Sequence, residues 1–379
     1  MNYQADFADF QRHIWFNSAS EGPLPKVAAA ALEEAVAWKS APYLLGLDKF
    51  AEVPVRLKRA LGAMIGADPH EIILGNSASY GVHLLANGLP LDPGDEVLLM
   101  QNDFPTDILP WLALEKKGVR IRQICARGPI ITPEELGAAV TESARVVCLA
   151  QVHSFSGHRL DVPRVAEICR SRGLRLILNI SQSAGAEPVD VGRLGADAVV
   201  AAGYKWMLGP YGTGFAWMTP ELRGALDINL NYWTAALSEA DLRSEGPLEF
   251  RDLRSARKYD VFATANFFNF VPFTAAVEYL LGIGMDKVRD YNQSLIERFT
   301  RRLDRDMYRL ISPEFSPERT GLAVFSHRCP ERNAGIHAGL SAGGIHLALW
   351  KGNLRASPHL FNTTSEIDRL LEELVRLAD

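Results

Sequence analysis

The chain has 379 residues, 47% hydrophobic and 22% charged, with a formal net charge of −5. That length holds two domains or one large α/β unit with an appendage, and the composition is that of an ordinary globular protein. No block of like charge suggests nucleic acid or an anionic surface as partner, and neither a membrane span nor a basic-then-apolar leader is expected.

In chain order, "KVAAAALEEAVAWKS" and "VRLKRALGAMIG" carry apolar residues at helical spacing. Six β-rich runs follow: "EVLLM" (96–100), "RIRQICA" (120–126), "RVVCLAQV" (145–152), "RLILNI" (175–180), "DAVVAA" (197–202) and "TGFAWM" (213–218). Helical stretches separate several of them, one starting at Thr132 with Pro133 at its first position and Glu135 closing a capping box. Strands that are apolar throughout and alternate with helices predict a mostly parallel, doubly wound sheet covered on both faces. After about residue 266 the texture changes. Helices near 272–282 and 285–309 precede "GLAVFSH", "IHLALW" and "LRASPH", and a last helix begins at Thr363 with Glu366 in a second capping box. The expected organisation is an N-terminal segment (1–24) serving the small domain and active site, a large domain (25–266) and a smaller α+β C-terminal domain (267–379).

Cys125, Cys148, Cys169 and Cys329 form no CxxC pair. The first three lie in apolar runs and are expected to act as small core hydrophobes, in keeping with a reducing cytoplasm. No close histidine pairing such as HExxH predicts a metal site, and His83 and His153 are expected in the core or a cleft.

The stretch "AAGYKWMLGPYGTGF" (201–215) places one lysine, Lys205, in an apolar and glycine-rich run. A charged side chain there is either a snorkelling surface lysine or one with a chemical task. A lysine on a glycine-bounded loop after a parallel strand suits Schiff-base catalysis, because burial among apolar groups lowers its pKa and frees the amine to attack. The spacing of "GPYGTG" fits neither a dinucleotide fingerprint nor a P-loop.

Six segments in register resemble the class V aminotransferase and cysteine desulfurase family. They are "FNSASEGPLP" (16–25), "EIILGNSASYGVHLLANGL" (71–89), "NDFPTDILPW" (102–111), "LNISQSAGAEPVDV" (178–191), "GYKWMLGPYGTGF" (203–215) and "LRASPHLFNTTSEIDRL" (354–370). The resemblance implies a fold-type-I enzyme of the α/β class, carrying pyridoxal 5'-phosphate and working as a homodimer on a small amino-acid-like substrate. It implies Lys205 as the imine-forming lysine and Ser77, Ala78 and Ser79 as the phosphate-binding turn at a helix start. Tyr204 replaces a histidine as a phosphate donor, and Ala202 offers none where a serine is common. Phe104 stands where a ring stacks on the pyridine, and Gln182 faces the phenolic oxygen. Asn17, Ser154 and Arg355 are expected at the substrate, the arginine clamping its carboxylate. Thr264 and Asn266 are placed to reach a neighbouring subunit's phosphate, and the apolar run 262–273 supports dimerisation.

Asn179 is the main departure, standing where the family places an aspartate against the pyridine nitrogen. A neutral amide holds a pyridinium less well than a carboxylate, so the ring is expected to be a weaker electron sink. That implies chemistry tolerant of a muted sink, a muted protein or an engineered Asp→Asn change, and Asn179→Asp is expected to speed α-proton exchange. The segment 336–355 lacks the cysteine that desulfurases carry shortly before the carboxylate arginine, and Cys329 comes too early to match. A β or C–S lyase is therefore expected first, with epimerisation, transamination, decarboxylation and a muted cofactor-binding protein as alternatives. The texture of "FPTDILPW", "SFSGHRLD" and "KYDVFATANF" is most similar to the isopenicillin N epimerase-like and ergothioneine-type C–S lyase branch.

Overall fold

A computed structural model describes residues 3–378 apart from 231, 250–254 and 264. In chain order the strands are β1 (Ile14–Trp15), β2 (Ile72–Gly75), β3 (Glu96–Met100), β4 (Arg120–Ile124), β5 (Ala144–Ala150), β6 (Arg175–Asn179) and β7 (Ala198–Ala202). They continue as β8 (Gly214–Met218), β9 (Tyr308–Leu310), β10 (Ala323–His327), β11 (Ile345–His346), β12 (Ala348–Trp350) and β13 (Asn353–Ala356).

The large sheet runs β2-β8-β7-β6-β5-β3-β4, parallel except for β8, which is antiparallel to both neighbours. Its strands alternate with period two between two apolar layers. Leu98, Val147, Leu149, Leu176, Leu178 and Val199 enter one core. Val97, Leu99, Val146, Cys148, Ile177 and Val200 enter the other. Helices Lys26–Ser40, Leu47–Ile65 and Phe267–Ile283 cover the first face, and Ala78–Gly88 covers the second. This is the doubly wound α/β architecture of fold type I.

The second sheet, β12-β13-β10-β9, is antiparallel. With helices Met285–Arg302, Asn333–Ala342 and Thr364–Ala378 it closes a separate core around Phe299, Phe325 and Leu370. Ile14 and Phe16 belong to that core because β1 pairs in parallel with β11. A bridge between Asn17 and Ser357 continues the pairing and carries residues 17–22 toward the large sheet.

Both predicted capping boxes form, at Thr132 with Glu135 and at Thr363 with Glu366. Four local expectations change. The helix expected to reach 309 stops at Arg302, where Asp304 accepts the backbone N–H groups of Asp306 and Met307 at 2.8 and 3.2 Å and turns the chain into β9. The run "IILG" forms β2, a strand outside the six β-rich runs. Cys125 is exposed because it follows β4, the edge strand, whose residues are mainly exposed or half-buried. His83 lies exposed on its helix, whereas His153 is buried between Ser156 and the Asn102 carbonyl. No single described helix is long and apolar enough to cross a membrane.

Candidate active site

Strand order reverses at β3, which has β4 on one side and β5 on the other. Ligands of open α/β sheets lie outside the carboxyl ends of strands at such a point. Phe104 and Asp107 follow β3, Ser154 follows β5, Asn179 ends β6 with Gln182 just beyond, and Lys205 follows β7.

Lys205 is 7% exposed, and its Nζ makes no hydrogen bond or ion pair with any described residue. The amine lies 5.0 Å from the centroid of the Phe104 ring. Burial lowers its pKa to about 8, helped by the positive charge of Arg355 and opposed by Asp107 and Glu21. The loop is gripped from outside by the N-terminal segment. The Gly22 N–H donates to the Tyr204 carbonyl at 2.8 Å, and a Cβ at Gly22 would fall 2.1 Å from the Lys205 carbonyl oxygen. Only glycine permits that approach. Glu21, next in the chain, is half-buried, and burial pushes its carboxyl up to about 7 against the pull of Lys205.

Arg355 sits on β13, 3% exposed. Its Nη1 donates to the Ser154 carbonyl at 2.9 Å, and its Nη2 donates to Ser20 Oγ at 2.8 Å and to Asn17 Oδ1 at 3.4 Å. Its Nε is buried without a partner, and no described carboxylate pairs with the guanidinium. Burial alone lowers its pKa to about 10. A buried cation without an anion is costly, and an anion entering from outside would relieve that cost.

Asn179, also buried, directs Nδ2 at both carboxylate oxygens of Asp107, at 2.9 and 3.1 Å. The Ser181 N–H donates to Asn179 Oδ1 at 3.0 Å and so fixes which way the amide faces. Gln182 is fixed in the same manner. The Trp206 indole N–H donates to its Oε1 at 2.8 Å, leaving Nε2 to donate to Ser154 Oγ and the Ala19 carbonyl.

Ser77 caps helix Ala78–Gly88 by accepting the Tyr80 N–H. The free N–H groups of that helix start, at Ala78 and Ser79, suit a phosphate dianion. Ser79 Oγ bonds Thr106 Oγ1 at 2.9 Å and ties this turn to the loop that carries Phe104. The Ala202 N–H donates to Ser181 Oγ and so is not free for a phosphate. Tyr204 is half-buried beside Tyr211, its hydroxyl bonded to no described residue. Asn266 lies exposed at the start of helix Phe267–Ile283, and Thr264 lies outside the described residues.

The aminotransferase class-V family model matches residues 48–370. The chain belongs to that family. Class-V aminotransferases are pyridoxal phosphate-dependent enzymes, and this chain is one of them. It is 26% identical to a probable cysteine desulfurase of Methanothermobacter thermautotrophicus, over 97% of this chain and 95% of that one. It is 24% identical to an isopenicillin N epimerase of Streptomyces clavuligerus, over 94% of this chain and 93% of the other. Among solved structures it resembles the cystine C–S lyase C-DES in complex with cysteine persulfide, with a TM-score of 0.86 at 22% identity and 97% of each chain covered. At that identity the likeness concerns the fold.

The class-V cofactor fits these residues. The cleft offers an unpaired amine, a stacking ring beside it, a capped helix start for the phosphate and an orphaned guanidinium N–H. Sequence reasoning missed Asp107 and Glu21. The signal for Asp107 was present in "PTDILPW", a lone acid in an apolar run, the same kind of mark that singled out Lys205. Glu21 drew no attention because its role depends on the N-terminal segment folding across the lysine loop, which local patterning does not encode.

Proposed function

We propose that this class-V enzyme acts on the α-amino group of an amino-acid-like substrate as a β or C–S lyase that uses no persulfide cysteine. The observation that carries the reading is the buried, counter-ion-free Arg355 close enough to Lys205 to depress its pKa. A guanidinium takes a carboxylate in a bidentate grip, which sets an amino acid's α-carbon near the lysine. Bound pyridoxal phosphate supplies an electron-withdrawing ring that weakens the bonds at that carbon. With a pKa near 8, Lys205 is partly neutral at physiological pH, able to join the cofactor and later to take the α-proton on Nζ. Phe104 and Gln182 would hold the cofactor ring, and the N–H groups at Ala78 and Ser79 would hold its phosphate.

Two features favour elimination without persulfide chemistry. No cysteine occurs in 336–355. Arg355 pairs with Val324 on β10, and exposed Cys329 lies beyond the far end of that strand, which is itself about 10 Å from Val324. Glu21 supports epimerisation as a second reading, because a carboxyl of pKa about 7 beside Lys205 is a second proton-transfer group. We further propose a homodimer, with exposed Phe262 and Phe268 in its interface, working in a reducing compartment that suits four free thiols.

Absorption spectra and product analysis with a panel of amino acids and S-substituted cysteines test the reading. Release of pyruvate, ammonia and a thiol from an S-substituted cysteine is the expected result. Racemised substrate without elimination would favour the Glu21 alternative. A keto acid formed with the amino group retained on the cofactor would establish transamination.

A further inference from the structure

Asp107 is fully buried in the turn Pro105–Asp107, and its described hydrogen-bond partner is the Asn179 amide. Its neighbour Asp103 differs, accepting two backbone N–H groups, from Phe104 at 2.8 Å and Ala150 at 3.0 Å, as structural carboxylates do. Burial pushes the Asp107 carboxyl well up, the negative charge of Asp103 adds to this, and the Asn179 hydrogen bond and Lys205 oppose it. An acid so placed is unfavourable to ionise unless a cation shares the site. Asn179 has capacity left for one. Its oxygen accepts the Ser181 N–H and keeps a second lone pair, while its nitrogen is committed to Asp107.

We propose that Asp107 is the counter-charge for the cofactor's protonated ring nitrogen and acts through Asn179, so that the amide passes on a carboxylate's influence instead of replacing it. This rests on the reading that pyridoxal phosphate binds in this cleft with its ring nitrogen toward Asn179. The proton stays on the ring nitrogen and is shared with Asn179 Oδ1. The amide N–H donates to the Asp107 carboxylate, and each group in the chain has the donor or acceptor it requires. Asp107 is thus a positioning residue, and the ring is not muted. The inference reverses the expectation for Asn179→Asp, because a carboxylate there would face Asp107 at about 3 Å, a like-charge pair that cannot both ionise.

The test is nuclear magnetic resonance of the holoenzyme loaded with pyridoxal phosphate carrying an isotopically labelled ring nitrogen. The wild type should give the protonated-nitrogen resonance at neutral pH. Asp107→Asn should lose it, moving to the neutral-pyridine position while borohydride still fixes the cofactor on Lys205. The exchanged pair Asp107→Asn with Asn179→Asp keeps one carboxylate and one amide and should recover the protonated resonance. If Asp107→Asn fails to fold, Asn179→Leu decides, since it keeps Asp107 and cuts the relay. A protonated nitrogen persisting in Asp107→Asn or in Asn179→Leu overturns the proposal, as does a neutral nitrogen in the wild type. Failure of the wild type to take up the cofactor, or its fixation on another lysine, would instead overturn the underlying site assignment.

Discussion

Two buried lysines among the described residues have opposite surroundings. Lys58, on helix Leu47–Ile65, is 9% exposed and places Nζ 2.8 Å from Asp260 Oδ2. The other Asp260 oxygen accepts the Leu74 N–H at 2.8 Å, so this pair fastens the helix to the start of the large sheet. Lys205 is 7% exposed and has no such partner. Burial alone therefore does not mark a functional lysine; burial without a counter-ion does. Arg355 repeats the contrast, since Arg159 is bound by Glu187 at 2.5 and 2.7 Å while Arg355 has only neutral acceptors.

Replacing each lysine by methionine should separate the two roles. Lys205→Met should abolish turnover, by about 10³-fold or more, because it removes both the attachment point and the proton carrier. The fold should not suffer. The native pKa falls from the ordinary 10.5 to about 8, so between those values the unfolded chain binds more protons and stability rises with pH. Below pH 8 the full penalty is present, about 3 kcal/mol, and Lys205→Met should relieve up to that much in the cofactor-free protein at neutral pH. Denaturant titration of the cofactor-free protein checks the sign.

Lys58→Met should do the reverse. It leaves the buried Asp260 carboxylate unpaired and should cost about 3–5 kcal/mol of stability while leaving turnover per folded molecule unchanged. The double change with Asp260→Asn, which keeps an acceptor for the Leu74 N–H, should recover most of that loss. Similar effects at the two lysines, in either assay, would break the comparison.

Arg355→Lys should raise KM by about 10–100-fold, since an ammonium cannot reproduce the two-point grip on a carboxylate. The smallest effect concerns pH. Acylation of Lys205 in the cofactor-free protein should follow a midpoint near 8, and an added carboxylate ligand at Arg355 should lower the reaction by covering the amine. Lys58 should stay unreactive throughout, held by its ion pair.

Much of this was legible in the sequence because it is local. The apolar strand runs, the capping boxes at Thr132 and Thr363 and the lysine loop each depend on neighbours a few residues away. The antiparallel direction of β8 was not legible, because "TGFAWM" reads alike in either sense. Nor was the pairing of Asp107 with Asn179, which lie 72 positions apart and meet only through strand order. Reading Asn179 alone gave a missing charge; the fold shows a carboxylate beside it. Asn17, Ser154 and Arg355 come together around one guanidinium from three distant segments, where resemblance supplied what spacing alone could not.

Borohydride reduction of the protein loaded with pyridoxal phosphate, followed by peptide mapping, tests the central claim most directly. The account predicts a pyridoxyl group on Lys205 and none on Lys58. A label on Lys58 or any other lysine, or no label at all, would contradict it.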